Sequence, residues 1–503
     1  AVFNKKHHVT GLLGYEYYQR DNNYFRAENS GFGTDATHEN NLGGGNAPKM
    51  SSSKDRRKDI SGFGRVDYSF DDKYLATVTL RRDGSSVFGG NNKYAYFPGV
   101  SVGWKIDKED FMAGAADKVD ILKLRLGYGQ SGNSGIDPYQ SLSKYDMTTN
   151  GILGQNKVSG ATLTNYMENP DLKWETTSQV NLGIDYGFFS RLSGNLDFFV
   201  KNTKDMLVQV SQSPMTGHKY QWQNAASMRV WGLEYSLNST NIQTRDFEWD
   251  TQLSFSWTDN KITDYNVTDE STVAALNTIG VIKGERTNSY YTYVIDGIDP
   301  SSGSYRFKDL DGDGSITVKD KAILGTPDPR VILGFGNTFK YKNFALDIFF
   351  NANFGNKMYN YSAMNFTLPN TFETSNYMVD AMNYWSESNP NSDIAANRAN
   401  GNGNALYNSR WIEDAWFIRL QNVTLSYNLA SIPSLRKIFP TAKIYVQAQN
   451  LFLITPYSGL DPELANNAYM SSSENLPAFL PGSVDMNAYP PARTFTVGLN
   501  FSF

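Results

Sequence analysis

Apolar and polar residues alternate along this chain with a period of two. In its last stretch, Phe495, Val497, Leu499, Phe501 and Phe503 fall on one face and Thr494, Thr496, Gly498, Asn500 and Ser502 on the other. That is the signature of a strand between two unlike environments. The same pattern sets Tyr74, Ala76, Val78 and Leu80 against Leu75, Thr77, Thr79 and Arg81, and Val180, Leu182, Ile184, Tyr186 and Phe188 against Asn181, Gly183, Asp185 and Gly187. Followed along the whole chain, it predicts about 14 strands, near 5–20, 60–71, 73–83, 98–106, 119–131, 176–189, 191–205, 229–242, 246–259, 329–341, 343–355, 415–429, 441–454 and 492–503. Many exceed the ~9–11 residues that a tilted strand needs to cross a bilayer.

The connections sort by length. Long ones near 21–59, 84–97, 132–175, 206–228, 260–328, 356–414 and 455–491 alternate with short ones such as Ser69–Tyr74, Phe188–Leu192, Thr240–Phe247 and Lys340–Phe344. Outer-membrane barrels have this asymmetry, with short periplasmic turns and long extracellular loops. The expected fold is therefore all-β: a transmembrane antiparallel β-barrel with its polar faces toward a lumen and its aromatic faces toward lipid. Segments 260–328 and 356–414 are read as long extracellular loops. A barrel must also pair its last strand with its first, or a backbone edge is left in lipid. The competing fold, a large soluble all-β array, lacks the fixed repeat of ~40–50 residues it would show.

Composition changes this picture little. The 503 residues carry a net charge of −5, which gives no footprint for nucleic acid. The absence of cysteine excludes disulfides, thiolate metal sites and a cysteine nucleophile. The four histidines, His7, His8, His38 and His218, are too scattered for a zinc or triad site. Aromatics are high at 14 %, while mean hydropathy is only −0.48, as a polar lumen and polar loops would give. Two matches to enzyme motifs fail on context. Gly127–Gly132 fits a nucleotide-binding glycine pattern with no helix after it. Gly99–Gly103 fits a nucleophile elbow, but strand alternation runs straight through Ser101. No enzyme activity is expected.

One motif carries chemistry. DLDGDGSITVKD (Asp309–Asp320) fits a 12-residue calcium loop, with Asp309, Asp311 and Asp313 at positions 1, 3 and 5. The Ser315 carbonyl would serve at position 7, Thr317 at 9 and Asp320 at 12. Ca2+ is the expected cofactor, in a structural role; a solvated Asp-Gly turn is the bland alternative. Two segments mix aromatics with amides, as sugar- or peptide-binding loops do. Lys219–Trp231 offers Tyr220, Trp222 and Asn224, and Asn404–Trp416 offers Tyr407, Arg410 and Trp411. Packing between loops is the alternative for each. Ser375–Pro390 is expected to form a short amphipathic helix.

Several stretches together resemble the SusC-like family of TonB-dependent outer-membrane transporters. They are Leu80–Met112, Leu122–Asn133, Asn169–Phe189, Lys308–Phe350, Trp416–Leu429, Gln449–Glu463 and the terminal YPPARTFTVGLNFSF. The resemblance implies active import of oligosaccharides or peptides through a plugged barrel of about 22 strands. It implies a SusD-like surface lipoprotein as a lid and TonB as the energy source. No plug or TonB-contacting segment is recognisable, so residues 1–503 are expected to be the C-terminal part of the barrel. The missing N-terminal barrel and plug portion would be a partner, along with outer-membrane lipid, and this chain would not close a barrel by itself. Two alternatives stand beside this reading: a self-contained 14-stranded passive channel, and a surface binding or adhesion protein with calcium-stabilised loops.

Overall fold

The computed structural model describes all residues except 1, 37, 154–155, 369–375, 397–406, 437, 464–483, 487–488 and 503. Fourteen long strands form one antiparallel sheet in chain order. They are β1 (His7–Glu28), β2 (Lys49–Phe70), β3 (Tyr74–Ser85), β4 (Tyr94–Lys105), β5 (Val119–Asn133), β6 (Glu175–Phe188), β7 (Leu192–Ser211), β8 (Tyr220–Gln243), β9 (Phe247–Tyr265), β10 (Val331–Tyr341), β11 (Phe344–Phe354), β12 (Phe417–Asn428), β13 (Thr441–Ile454) and β14 (Thr494–Ser502). Short strands at Val2–Phe3 and Tyr166–Met167 join the same sheet, on β1 and β8. Each predicted strand is present. The terminal Phe503 lies outside the described residues.

Alternation gives the sheet two unlike faces. Leu13 on one face is 89 % exposed, Phe495 70 % and Val497 74 %. A sheet facing water would not leave such a continuous apolar surface, but hydrocarbon would cover it. The opposite face is polar, and long connections fold over it: Arg57 Nη1 donates to the Ser134 carbonyl at 2.9 Å, and Trp174 of the 134–174 connection packs on Phe97. The tightest turns gather at the other end. Asp71 and Asp72 both have φ of 52°, and Phe189 and Ser190 have φ of 56° and 51°. Each connection is three residues long, 71–73 and 189–191, and its paired left-handed residues suit the right-handed twist of the flanking strands.

Three connections are much shorter than the sequence suggests. The expected gaps 21–59, 84–97 and 206–228 contract to 29–48, 86–93 and 212–219. The last shrinks because β7 carries a bulge: Thr203 pairs with Met228, then Met206 with Ala226. Asp205 turns left-handed there, with φ of 58°. The bulge shifts the phase of the alternation, and pairing then resumes to Ser211. The amphipathic helix expected over Ser375–Pro390 is also not formed; among the described residues Val379–Asn383 makes only a 3-10 turn. Nearby side chains compete for its backbone, with Asn389 Nδ2 donating to the Tyr384 carbonyl and Ser392 Oγ to the Asn383 carbonyl.

Among the described residues, β1 and β14 make no ladder with each other. β14 pairs with β13, and β1 pairs with β2 and the Val2–Phe3 stub. The fourteen strands are therefore an open wall, as expected, and the self-contained fourteen-stranded channel has no closing ladder.

Above the wall, the described residues of connections 266–330, 355–416 and 455–493 pack into a cap with its own apolar core. Tyr290, Tyr305, Tyr359, Tyr361, Met364 and Trp411 are all buried in it. An ionic latch ties the cap to the wall. Arg419 of β12 is buried, and its Nη2 donates to both carboxylate oxygens of Asp461 at 2.7 Å. Its Nε lies 2.8 Å from Glu463 Oε2. Burial pushes the Glu463 carboxyl up from its usual range, with Arg419 opposing. Removing one member of a buried pair strands the other charge and costs about 3–5 kcal/mol. Arg419→Met should free residues 455–463, seen as new protease cleavage there. Arg419→Met combined with Asp461→Leu should restore much of the protection, since no charge is then left unpaired.

Candidate functional site

The polar face of the wall is lined with charges that neutralise one another across strands. The register aligns Arg125 of β5, Gly183 of β6 and Asp197 of β7 in one row. The Arg125 guanidinium lies over Gly183. Its Nε donates to both oxygens of Asp185 at 3.0 Å, and its Nη1 and Nη2 donate to Asp197 at 3.0 and 2.9 Å. A Cβ on Gly183 would come 2.4 Å from Asp197 Oδ1 and 2.6 Å from Arg125 Cζ, so the row needs glycine there. Arg81 repeats the arrangement on β3, contacting Asp83 at 2.6 Å and Glu16 at 3.1 Å. Arg65 holds Asp67, which also accepts from Thr77 Oγ1. At the turn end, Lys340 lies 2.5 Å from Glu248 and 3.7 Å from Asp250. The resulting surface is hydrophilic and charge-balanced, suited to a passing polar solute.

The residues singled out in the sequence sit in three places. Tyr220, Trp222 and Asn224 are on strand β8, not in a loop as expected, because β8 pairs with the post-bulge part of β7. There Asn224 clamps backbone: its Nδ2 donates to the carbonyls of Lys173 and Asp205, and its Oδ1 accepts from the Lys173 amide. Trp222 packs against the cluster of Phe88, Phe97 and Trp174. Tyr220 is 36 % exposed, and its ring lies tilted beside that of Tyr166, with centroids 5.9 Å apart. Tyr407 and Trp411 belong to the cap core; the Tyr407 ring meets Tyr359 edge-on at 5.3 Å, and Trp411 is buried. Arg410 lies over the Trp411 ring and pairs with Asp393 at 2.9 Å. Of the six, Tyr220 is exposed, Trp411 is buried, and Trp222, Asn224, Tyr407 and Arg410 are half-buried. The cap residues Tyr290 and Tyr359 and the Arg125 row were not anticipated. Charged residues on the polar phase of adjacent strands were the available signal for the row.

In the Asp309–Asp320 loop, ligand oxygens of Asp309, Asp311 and Asp313 lie within 4.8 Å of one another. Asp309 accepts from the amides of Gly312 and Gly314, Asp311 from Asp313, and Asp313 from Ser315. These bonds turn the loop tightly around the three carboxylates. Asp320 stands outside that group. It is fully buried, and its oxygens accept from the amides of Leu310, Asp311 and Thr317. The Thr317 amide chiefly holds its carboxyl below the usual range, against the effect of burial. Asp320 closes the loop on its backbone, whatever else it binds.

The family described as TonB dependent receptor-like, beta-barrel matches residues 2–451, nearly the whole wall. The chain belongs to this family of outer-membrane TonB-dependent receptors and transporters. It is 33 % identical to TonB-dependent receptor P3 of Formosa agariphila, over 100 % of this chain and 51 % of the relative. It is 31 % identical to TonB-dependent receptor SusC of Bacteroides thetaiotaomicron, over 88 % of this chain and 44 % of the relative. Its structure superposes on the RagAB peptide transporter with a TM-score of 0.83 and 26 % identity, over 100 % of this chain and 54 % of that one. The chain thus spans about half the length of the curated relatives it matches. It is a SusC-like TonB-dependent receptor sequence, and its apolar sheet face is the lipid-facing face of an outer-membrane barrel.

The crowding at the Arg125 row generates a test of this wall. Gly183→Ala should lower the denaturant midpoint of the refolded protein by an amount corresponding to about 2–4 kcal/mol, because the ion pairs must break or the strands shift. Gly11→Ala, where a Cβ would meet nothing within 4 Å, should leave the midpoint nearly unchanged.

Proposed function

We propose that this chain forms part of the wall and the extracellular cap of a SusC-like importer. The importer would carry oligosaccharides or peptides across the outer membrane, with a SusD-like lipoprotein as its lid and TonB as its energy source. The observation that carries this reading is the wall itself: a charge-balanced polar face closed above by a packed cap, on a chain similar along its length to SusC and to a RagAB peptide transporter. An unpaired strand edge in hydrocarbon costs several kcal/mol per exposed backbone group, so further strands would complete the barrel. Catalysis has no part in the reading. Of the singled-out residues, the exposed Tyr220 is best placed to touch cargo. The test is uptake of labelled glycans and labelled peptides by cells carrying the full-length transporter and its lipoprotein. One class should enter, and only while TonB is energised; entry that persists without TonB would overturn the energised mechanism.

We further propose that Asp309, Asp311 and Asp313 hold Ca2+, with the Ser315 carbonyl, Thr317 and Asp320 completing the loop. Three carboxylates gathered this closely repel one another unless a hard cation neutralises them. The ion would stiffen the loop beside Tyr291–Tyr293, whose strand pairs with Lys321–Ile323 directly after it. Calorimetric titration should give one calcium site in the wild type and none in Asp309→Asn/Asp313→Asn. No binding in millimolar calcium would refute the site.

A further inference from the structure

On the lipid-facing side of β2 the apolar run gives way to a column of cations before the strand ends in Ser52 and Met50. Continuing its outward face away from the tight turns, Val66, Gly64, Gly62 and Ile60 lie opposite Gly11, Leu13, Tyr15 and Tyr17 of β1. The next three outward positions are Lys58, Arg56 and Lys54, opposite Gln19, Asp21 and Asn23. All three cations are exposed, and alternation places them about 7 Å apart in one column. A fourth joins them from β3. Arg82 pairs in register with Gly62, and its guanidinium lies 4.2 Å from the Tyr94 ring centroid and 5.7 Å from that of Tyr96.

Two features separate this column from ordinary surface charge. The first is height. Tyr15, Tyr17, Tyr94 and Tyr96 are all exposed where the continuous apolar run of this face ends; beyond the cations Phe25 and Met50 are its exposed large apolar residues. Such a belt marks where acyl chains give way to headgroups. The cations stand at and just above it. The second is the lack of partners on that side. The inward residues of the same stretch have partners: Arg57 pairs with Asp59 at 2.7 Å and bonds Ser134, and Asp55 Oδ2 accepts from Asn22. On the outward side Asp21 pairs with Arg56. Among the described residues, neither Lys54 nor Lys58 has a carboxylate within ion-pair distance. Four cations thus face outward against one carboxylate, at the level of the outer-leaflet headgroups.

We propose that Lys54, Lys58 and Arg82, with Arg56 beside them, bind the phosphate groups of outer-leaflet glycolipid headgroups. Lysine ammoniums suit this as mobile point charges, while the ring-stacked Arg82 offers a fixed fork to a phosphate. Bound lipid would fix the height of β1 and β2 in the membrane. It would also brace the ribbon of Arg20–Glu28 and Lys49–Arg57, which extends beyond the end of β3.

The test uses the full-length transporter in nanodiscs, titrated with lipid A and with its dephosphorylated form. The wild type should prefer the phosphorylated lipid. Lys54→Gln/Lys58→Gln should bind it about 30-fold more weakly, since each cation near a membrane surface contributes about 1 kcal/mol, while Lys54→Arg/Lys58→Arg should retain binding. Heat-modifiable migration on gels confirms that each variant is folded. Equal affinity of wild type and glutamine variant, or equal affinity for the two lipids, would overturn the proposal. Inorganic phosphate at millimolar concentration should not bind measurably; binding that is lost in the glutamine variant would identify a small-anion site and overturn the lipid assignment.

Discussion

Every peptide group that enters hydrocarbon must bring its hydrogen-bond partner with it, and this constraint orders the rest of the molecule. An unpaired amide or carbonyl there costs several kcal/mol, comparable to much of the ~5–15 kcal/mol by which proteins are stable. The chain meets the constraint with ladders between sequence neighbours from β1 to β14. Side chains are then free to serve two solvents, lipid on one face and a polar interior on the other. Period-two alternation follows directly, and so does the need for further strands at the two open edges.

The interior face meets a second constraint. Charges there lie close to a low-dielectric wall, so they are placed where neighbouring strands cancel them. Arg125 is shared by two aspartates from different strands, and Arg81 by an aspartate on its own strand and a glutamate on β1. Cross-strand pairing of this kind also fixes register, because slipping one strand by a residue would turn every charge to the lipid side. Gly183 is part of the same device, its missing side chain leaving room for the guanidinium.

Most of the wall was legible in the sequence because each strand reports its own environment locally. The tops of the strands were less so: the bulge at Asp205 shifts the phase, and the alternation of Met206–Ser211 no longer continues that of Leu192–Thr203. The Asp309–Gly314 turns were legible for the same local reason, while the burial of Asp320 depends on how the loop folds back and was not. The cap was opaque. Thr292 Oγ1 donates to the Tyr407 carbonyl across 115 residues, and Ser362 Oγ to the Asp485 carbonyl across 123. No periodicity encodes contacts at that separation. Tyr407 and Trp411 show the resulting ambiguity, since an aromatic residue in a loop has the same composition whether it faces cargo or joins a core.

The core of the cap draws on connections alone: Tyr290, Tyr305, Tyr359, Tyr361, Met364, Leu368, Ile394, Trp411, Ile412 and Val484 all lie outside the fourteen strands. Wall and cap are therefore held by different forces, one by backbone ladders in lipid and the other by apolar burial in water. Ionic tethers such as Arg419 to Asp461 and Asp259 to Arg286 join them. Structures assembled this way are modular. The loops can drift in sequence, and the lattice beneath them need not be rebuilt so long as a few tethering charges are kept.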